Sequence, residues 1–474
     1  MAERLRPDIC VIGAGSGGLS VAAGAAQFGL DVVLIEKGRM GGDCLNYGCV
    51  PSKALIAAAR RAHLASTAAP FGIALPAPEI DFAAVMRHVA RTIAAIAPND
   101  SVARFAGLGV RVIGAEAKFI NAREVAAGDV TIAARNFVVA TGSTPLVPPI
   151  AGLADTPHLT NETVFDLTER PEHLLVIGGG AIGLELAQAF RRLGARVSVV
   201  EQATPLARDD PELVSVVLRR LEADGVDLRT GAKVTGVGLR RGRITLALES
   251  DAGGGELSGS HLLVAAGRAA AVAGLGLDDA GVEFSRGGIV VDSALRTTNR
   301  RVYAIGDVAG RQQFTHIANH HAGLVLRSIM TLWPHRLSDA AIPWVTYTDP
   351  ELAWVGLSLD EARERHGRVH IQRWPMAEND RAQAERETGG MVKLVTDRRG
   401  RILGGGMVAA HAGDLIQPLV LAITQGLDVR ALTAMIVPYP TMGEALKRAA
   451  YAYYAPRLLR SRLPRIARFL VRHF

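Results

Sequence analysis

The sequence predicts an α/β protein with two Rossmann-like dinucleotide-binding domains and a C-terminal α+β domain. Two glycine-rich turns of the GxGxxG type, at residues 13–18 and 178–183, each follow a short apolar run, and this predicts the paired folds. After about residue 338 the composition changes, because tryptophans cluster and one stretch alternates like a strand. A chain of 474 residues has room for about three domains.

The first fold begins with the apolar run 9–12, which predicts a buried parallel strand. The turn Gly13-Ala14-Gly15-Ser16-Gly17-Gly18 follows, then a helix to about Gly29 and a strand that ends at Glu36. Gly13 allows the tight turn, Gly15 lets the backbone approach a pyrophosphate, and Gly18 lets helix and strand pack closely. Glu36 can then accept hydrogen bonds from the hydroxyls of a ribose.

The second fold repeats this order. A strand at 174–177 leads into Gly178-Gly179-Gly180-Ala181-Ile182-Gly183, a helix runs to about Leu193, and the next strand ends at Glu201. Two complete folds imply two dinucleotides. The carboxylate of Glu201 suits two free ribose hydroxyls and repels a 2′-phosphate, so NADH is favoured over NADPH, although Arg208 could weaken that preference.

A pair of cysteines, Cys44 and Cys49, stands just before Pro51, and the chain has only three cysteines. Pro51 suits the first turn of a helix, so Cys49 is expected at a helix N-terminus, where unpaired N–H groups favour a thiolate. Lys53 adds positive charge one turn further on. A thiolate beside a second thiol makes a dithiol/disulfide switch, and the alternative is two buried cysteines in a small-residue loop.

The number of cysteines and the N-terminal sequence indicate the cellular compartment in which the protein is expected. So few cysteines indicate a reducing environment. The first strand begins too early to leave room for a signal peptide, so a cytoplasmic location is expected. The uncharged run 9–30 is explained by its glycine spacing rather than by a membrane span, and the net charge of +7 is modest for this length.

Three further motifs lie between and after the two nucleotide-binding folds. A strand ends in Ala140-Thr141-Gly142-Ser143 between the two folds, and Ala265-Ala266-Gly267-Arg268 follows the second fold. The run 302–306 then predicts a strand that delivers Asp307 at its C-terminal end, where parallel sheets bind ligands.

In this order the motifs resemble those of the flavoprotein pyridine nucleotide-disulfide oxidoreductases, the family of dihydrolipoyl dehydrogenase, glutathione reductase and mercuric reductase. The resemblance covers residues from about 8 to 450. It implies FAD on the first fold, a nicotinamide dinucleotide on the second, and a homodimer, because the segment 347–356 is similar to the opening of the family's interface domain. The implied domains are 1–150 and 269–337 for FAD, 151–268 for NAD(P)H, 338–450 for dimerisation, and 451–474 as a tail.

The resemblance also implies roles for single residues. Cys49 is the thiol that contacts the flavin, Cys44 faces the substrate, and Lys53 lies beside flavin N5, paired with Glu185. The residues themselves agree, because Cys49 is expected at a helix start and Cys44 on the looser side of the loop. Glu36 contacts the adenosine ribose and Asp307 the ribityl chain. The other implied cofactor contacts are Gly13, Gly15, Ser16, Gly18, Lys37, Gly42, Asp43, Ala117, Thr141, Gly142, Ser143, Gly178, Gly180, Ala181, Ile182, Gly183, Glu201, Val234, Gly267, Gln313, Phe314, Thr315 and His316.

One departure from the family concerns proton transfer. In these enzymes the partner subunit supplies a His-Pro-Thr-x-x-Glu segment whose histidine serves the substrate-facing thiol, and this chain has Tyr439-Pro440-Thr441-Met442-Gly443-Glu444. A phenol with a pKa of about 10 does not exchange protons at neutral pH, which disfavours disulfide substrates. Tyrosine here resembles mercuric reductases, which accept a soft metal ion. The alternative is that Tyr439 packs at the interface while water or Glu444 handles protons.

Other residues bear on metal binding. Mercuric reductases carry a vicinal cysteine pair near the C-terminus, whereas the remaining cysteine here is Cys10, which is expected in the core. Asp43 stands where the family usually has threonine, and it either assists a cation or serves as an N-cap or turn residue. His320 and His321 are neighbours on a helix and face different ways, so no resident metal site is predicted.

The tail predicts a basic amphipathic helix, interrupted or kinked at Pro464. Its arginines are Arg457, Arg460, Arg462, Arg465, Arg468 and Arg472, without an acidic residue, and its apolar positions are Leu459, Leu463, Ile466, Leu470 and Phe474. Such a helix lies on an anionic membrane surface, here the inner face, or on the dimer's own acidic surface. Nucleic-acid binding is not expected, because the basic stretch lacks a recognised module.

The sequence therefore predicts an NADH-dependent FAD enzyme of the mercuric-reductase-like branch, which passes electrons through Cys44 and Cys49 to a soft metal ion. One alternative is a disulfide reductase of the dihydrolipoyl dehydrogenase type. The other is a membrane-surface NADH oxidoreductase that reduces quinone or O₂, with the two thiols regulatory.

Overall fold

The computed structural model describes residues 3–250, 253–310, 312–454 and 463–473. Its strands are β1 Glu3–Leu5, β2 Ile9–Ile12, β3 Val32–Glu36, β4 Arg111–Gly114, β5 Ala117–Asn121, β6 Glu124–Ala127, β7 Val130–Ile132, β8 Asn136–Val139, β9 Ser143–Pro145, β10 His173–Ile177, β11 Arg196–Glu201, β12 Asp227–Thr230, β13 Ala232–Arg240, β14 Arg243–Ser250, β15 Gly253–Gly259, β16 His261–Val264, β17 Arg268–Ala270, β18 Phe284–Ser285, β19 Gly288–Ile289, β20 Val302–Ala304, β21 Pro343–Thr346, β22 Glu351–Gly356, β23 His370–Pro375, β24 Met391–Thr396 and β25 Ile402–Ala409.

The helices are α1 Ser16–Gln27, α2 Gly42–Asn46, α3 Cys49–Ser66, α4 Phe82–Ile96, α5 Val102–Gly107, α6 Ala181–Arg192, α7 Pro211–Ala223, α8 Thr315–Thr331, α9 Leu359–His366, α10 Asp380–Glu385, α11 Ala412–Leu415, α12 Gln417–Thr424, α13 Val429–Ala434, α14 Glu444–Tyr451 and α15 Leu463–His473.

The chain forms two compact units. The first contains Met1–Gln202 and Gly231–Leu337, and the second contains Ala203–Thr230 and Ser338–Phe474. Both nucleotide-binding folds therefore contribute to one unit. Residues 203–230, which the sequence analysis assigns to the NAD(P)H domain, group with the C-terminal region in this division. The assignment of FAD, NAD(P)H and dimerisation domains to particular residue ranges stays a prediction.

The first unit contains a five-stranded parallel sheet in the order β20-β8-β2-β3-β4. All four residues of β2 are buried, as expected for a central parallel strand. The strand is followed by the glycine turn, α1 and β3, which is the predicted order of the first fold. The turn lies at the carboxyl edge of the sheet, beside the neighbouring strand β8.

The second nucleotide fold repeats this arrangement in the same unit. Strand β10 lies between β11 and β16 in a parallel sheet, and α6 connects β10 to β11. An antiparallel sheet, β13-β14-β15, follows in the chain. Strands β9 and β17, which flank the second fold in sequence, pair with each other in an antiparallel ribbon.

Asp307 occupies a place slightly different from the predicted one. Strand β20 ends at Ala304, and Asp307 lies in the 3-10 helix Gly306–Ala309. The backbone leaves the strand because Gly306 has a φ of +68° and its N–H donates to Nδ1 of His321 at 3.1 Å. His321 is fully buried on α8 and therefore supports this turn.

The second unit is built on an antiparallel sheet in the order β21-β22-β25-β24-β23. Helix α7 belongs to this unit, and an ion cluster binds it to β24. The Nζ of Lys393, which is only 3% exposed, lies 2.7 Å from Asp210 and 2.9 Å from Glu212. Asp210 also caps α7, because its side chain accepts from the N–H groups of Glu212 and Leu213.

The described part of the tail is helical. Helix α15 contains Pro464 in its first turn, where proline is tolerated, so the helix is not interrupted between 463 and 473. Several residues of the predicted tail pattern lie outside the described residues: Arg457, Leu459, Arg460, Arg462 and Phe474. Within the described ranges, no helix is both long and apolar enough to span a bilayer.

Candidate active site

The cysteines lie on two consecutive helices. Gly41 and Gly42 have φ of +89° and +59°, and these left-handed conformations start α2, which carries Cys44. A Cβ on Gly42 would fall 2.6 Å from the Cα of Gly15, so α2 begins directly against the first glycine turn. The expectation that Cys44 lies on the looser side of a loop is wrong, because Cys44 is part of a helical turn.

Cys49 is the first residue of α3, as predicted from Pro51. Both cysteines are free thiols, Cys44 half-buried and Cys49 exposed. A hydrogen bond from Cys44, the hydroxyl of Thr315 at 3.4 Å from Sγ, and the charge of Lys53 together lower the pKa of Cys49 to about 6. The hydrogen bond to Cys49, together with burial, raises the pKa of Cys44. The lowered pKa of Cys49 and the raised pKa of Cys44 therefore favour a thiolate at Cys49 and a thiol at Cys44.

Lys53 and Glu185 form the ion pair that the resemblance implies. Lys53 Nζ lies 2.7 Å from Glu185 Oε2. The Glu185 side chain is 7% exposed and that of Lys53 is 35% exposed. The contact joins α3 of the first nucleotide fold to α6 of the second.

A chain of polar contacts connects Asp307 to Asp43. Ser143 donates to Asp307 at 2.5 Å, and Arg268 donates from Nε to Ser143 Oγ at 2.8 Å. Arg268 Nη2 in turn lies 3.1 Å from Asp43 Oδ1. Burial raises the pKa of Asp307, and the hydrogen bond from Ser143 opposes that shift.

The two glycine turns have the shape that a dinucleotide pyrophosphate requires. Helices α1 and α6 begin after Gly15 and Gly180, and neither has a side-chain cap, so N–H groups remain at both N-termini for a phosphate. A Cβ on Gly13 would fall 2.5 Å from Ala140 O, and one on Gly178 would fall 2.4 Å from Ala265 O. Both turns therefore require glycine for the same steric reason, and both fit the implied cofactors.

The acidic residue at the end of each second strand supports its glycine turn. Glu36 accepts from the N–H of Ala14 at 2.6 Å and of Gly38 at 2.7 Å, and Glu201 accepts from the N–H of Gly179 at 2.7 Å. Each carboxylate oxygen has a second lone pair, so these contacts are compatible with ribose hydroxyls as further donors.

The other predicted cofactor contacts are spread over the first unit. Thr315 and His316 begin α8, with the His316 ring stacked on Phe314 at 5.3 Å, and Gln313 precedes them. Ala181 and Ile182 begin α6, and Gly183 follows them. The remaining positions are Ser16 and Gly18 on α1, Lys37 after β3, Ala117 at the start of β5, Thr141 and Gly142 before β9, Val234 on β13 and Gly267 before β17.

Tyr439 and Glu444 lie in the second unit and do not bond to each other. Tyr439 donates to Asp380 Oδ2 at 2.8 Å, and this hydrogen bond raises the pKa of the phenol. Glu444 instead accepts from Arg448 one turn along α14. The sequence contained no signal for Asp380, because no local pattern connects it to a residue 59 positions away.

Comparison with known proteins agrees with this geometry. The family model described as pyridine nucleotide-disulphide oxidoreductase matches residues 7–322, and the model for the dimerisation domain of the same family matches residues 342–450. A mercuric reductase of Streptomyces lividans is 37% identical over 455 residues, which covers 94% of this chain and 96% of that protein. A dihydrolipoyl dehydrogenase of Thermus scotoductus is 35% identical over 466 residues, with coverages of 94% and 97%.

Solved structures point the same way. The Cu(II) complex of the HOCl-induced flavoprotein disulfide reductase RclA from Escherichia coli is similar with a TM-score of 0.84 and 28% identity, covering 93% of this chain and 98% of that one. Enzymes of this family use FAD and NAD(P)H, and the dimerisation domain supports a homodimer. From its motifs, its fold and these relatives, the chain belongs to the pyridine nucleotide-disulphide oxidoreductases.

Proposed function

We propose that this enzyme passes electrons from NADH through FAD and the Cys44–Cys49 pair to a soft metal ion. The observation that carries the proposal is the state of Tyr439. Its phenol donates to Asp380 and so keeps its proton at neutral pH, whereas a disulfide substrate needs a group that exchanges protons with the thiols. Thiolate sulfur, by contrast, is a preferred ligand of soft metal ions. The relationship to mercuric reductases supports this choice of acceptor.

The residues around the thiols have separate tasks in this proposal. When bound, FAD would supply the two-electron chemistry that connects reduced nicotinamide to a disulfide. Lys53, held by Glu185, places a cation where negative charge develops on that cofactor. Thr315 and the start of α3 keep Cys49 as thiolate, while Cys44 keeps a proton and faces the acceptor. Glu36 holds the ribose of FAD, and Glu201 favours NADH over NADPH.

The domain roles follow the same proposal. Residues 1–150 and 269–337 hold FAD, residues 151–268 hold the nicotinamide dinucleotide, and residues 338–450 form the dimer. Asp307 and Gln313 to His316 are assigned to FAD in this scheme. The match of the dimerisation model to residues 342–450 supports the last boundary.

An acceptor screen tests the proposal. We expect NADH consumption by the purified holoenzyme to depend on Hg(II) bound to a small thiol, or on Cu(II), and to be at least about tenfold slower with lipoamide at equal concentration. Cu(II) is included because RclA was solved as a Cu(II) complex. The matched variant Tyr439→His is expected to gain lipoamide activity. Lipoamide turnover by the unaltered enzyme at or above the metal-dependent rate would establish the dihydrolipoyl-dehydrogenase-type alternative.

The tail favours a second proposal, contact with a membrane surface. With 3.6 residues per turn, Arg465, Arg468 and Arg472 lie on one side of α15, and Ile466 and Leu470 lie opposite. Both apolar side chains are about half exposed, at 51% and 49%. A helix that separates basic from apolar residues in this way fits an anionic lipid surface, at about 1 kcal/mol per basic residue. In that location quinone or O₂ is the alternative acceptor.

Vesicle binding separates this proposal from a helix that packs on the protein itself. We expect the full chain to co-sediment with vesicles that contain anionic phosphatidylglycerol, and to bind at least about tenfold less to neutral phosphatidylcholine vesicles. A chain ending at Pro456 should lose the binding, as should Ile466→Asp with Leu470→Asp. Binding by either variant equal to that of the full chain would refute membrane contact through α15.

A further inference from the structure

The carboxylate of Asp43 contacts three segments of the chain, at Asn161, Arg268 and Gly48. Its Oδ1 accepts from Asn161 Nδ2 at 3.0 Å and lies 3.1 Å from Arg268 Nη2. Its Oδ2 lies against Gly48, since a Cβ at that glycine would come within 2.8 Å of the oxygen. Gly41, not Asp43, is the N-cap of α2, so the capping alternative is wrong. The carboxylate already has a cationic partner in Arg268.

Asn161 connects this carboxylate to the segment between the two cysteines. Its Nδ2 also donates to the carbonyl oxygen of Tyr47 at 3.4 Å. Asp43 immediately precedes Cys44, and Tyr47 comes two residues before Cys49. Asn161 is only 8% exposed, so its amide is not a surface group that moves freely. One buried amide therefore contacts both the residue before Cys44 and a residue between the two cysteines.

Arg268 supplies the charged part of the contact. It begins β17, and besides its bond to Ser143 Oγ it donates from Nη2 to the carbonyl oxygen of Ser143 on β9 at 3.0 Å. Its side chain is 12% exposed, against 38% for Asp43. The contacts with Ser143 therefore fix the guanidinium of Arg268 on the β9–β17 ribbon independently of Asp43. Because the contact between Arg268 and Asp43 is charge-assisted and Arg268 is fixed, it restricts the position of α2, which carries Asp43.

We propose that Asp43 is a positioning residue that ties the short helix bearing Cys44 to the β9–β17 ribbon through Arg268, and to Asn161. The proposal rests on the redox role of Cys44 and Cys49 given above. Reduction of their disulfide adds two electrons and breaks the S–S bond, and at neutral pH Cys44 takes up a proton while Cys49 stays a thiolate. The S–S bond is a cross-link between α2 and α3, which the backbone of residues 47 and 48 also joins. After that bond breaks, the contacts of Asp43 keep the Cys44 thiol near Cys49, ready to close the disulfide again.

The contacts of Asp43 with Arg268 and Asn161 should change the equilibrium constant between the dithiol and the disulfide of Cys44 and Cys49. Two thiols that are held together form a disulfide more readily than two that separate, because their effective concentration is higher. We expect Asp43→Ala to lower the equilibrium constant for disulfide formation against dithiothreitol by about fivefold, which corresponds to about 20 mV at 29.6 mV per tenfold change. Alkylation of Cys44 by iodoacetamide in the reduced holoenzyme should become about fivefold faster, because separation from Cys49 removes the hydrogen bond that raises the pKa of Cys44 and so increases its thiolate fraction.

Matched variants distinguish the loss of the Asp43 contacts from a general destabilisation of the fold. Asp155→Ala, at an exposed carboxylate in the same unit, should leave both values unchanged. Asp43→Asn retains an acceptor oxygen and should change them less than Asp43→Ala. Asn161→Ala should act like Asp43→Ala, and the double variant should show less than the product of the two effects, because both remove the same tie.

Two outcomes would overturn the inference: values for Asp43→Ala within twofold of the unaltered enzyme, or multiplicative effects of Asp43→Ala and Asn161→Ala. Failure of the proposed redox function would look different. In that case the unaltered enzyme would show no dithiothreitol-dependent conversion between Cys44–Cys49 disulfide and thiols, whatever residue stands at position 43.

Discussion

Replacement of Cys49 by serine is expected to slow acceptor-dependent NADH oxidation by at least about 10³-fold, because it removes the thiolate through which electrons leave the flavin. The same variant should lose the long-wavelength absorbance that a thiolate in contact with oxidised flavin produces. In an anaerobic titration with dithionite this variant should take up two electrons per subunit, and the unaltered enzyme should take up four. Stopped-flow absorbance and the titration measure these changes on the holoenzyme.

Cys44→Ser is the matched control, because it removes the other sulfur and leaves the thiolate position intact. Its acceptor turnover should fall to a similar extent, while the long-wavelength absorbance persists. In the unaltered two-electron-reduced enzyme, this absorbance should hold above about pH 6 and fade below it, because the pKa of Cys49 is about 6 and only the thiolate absorbs. Equal loss of the absorbance in both variants would contradict the assignment of Cys49 as the thiolate.

Lys53→Met is expected to reduce the free energy of unfolding by about 2 kcal/mol and to slow reduction of the flavin by NADH. The variant leaves the Glu185 carboxylate, 7% exposed, without the cation that lies 2.7 Å away. A fully buried pair costs about 3–5 kcal/mol when one member is removed, and the value here is lower because a third of Lys53 is exposed. Urea unfolding and anaerobic stopped-flow reduction provide the two measurements.

Two further variants test that explanation. Lys37→Met removes a lysine 3.5 Å from Glu116, but both side chains are largely exposed, so the change should cost less than about 0.5 kcal/mol. Lys53→Met combined with Glu185→Gln should recover part of the lost stability, because the amide carries no buried negative charge for the missing ammonium to balance. A double variant as unstable as the sum of its two single variants would show that Lys53 and Glu185 are not coupled.

The two nucleotide folds were predictable because local patterns determine them. Each combines a short apolar strand with a glycine turn whose first glycine cannot bear a side chain, and the structure contains β2-α1-β3 and β10-α6-β11 at those places. Cys49 was predictable at a helix start for a similar local reason, since Pro51 suits a first turn. These features depend on residues within one stretch of sequence.

The contacts of Asp43 were not predictable, because they depend on residues far away in the chain. Asn161 is 118 positions from Asp43, and the Ala-Gly-Arg motif that contains Arg268 gave no indication of its partner. Helix α2 was missed for another reason: glycine permits positive φ at Gly41 and Gly42 but does not require it. The pairing of Tyr439 with Asp380 likewise arises from the packing of the second unit and not from a spacing.

The position of α7 affects how this chain can be recombined with its relatives. Lys393 is almost completely buried, and both of its carboxylate partners, Asp210 and Glu212, come from a segment more than a hundred residues earlier. If only the residues after 338 were transferred into a relative, Lys393 would pack against the relative's own helix in place of α7. Any interchangeable module must therefore be discontinuous, with residues 203–230 transferred together with the C-terminal portion.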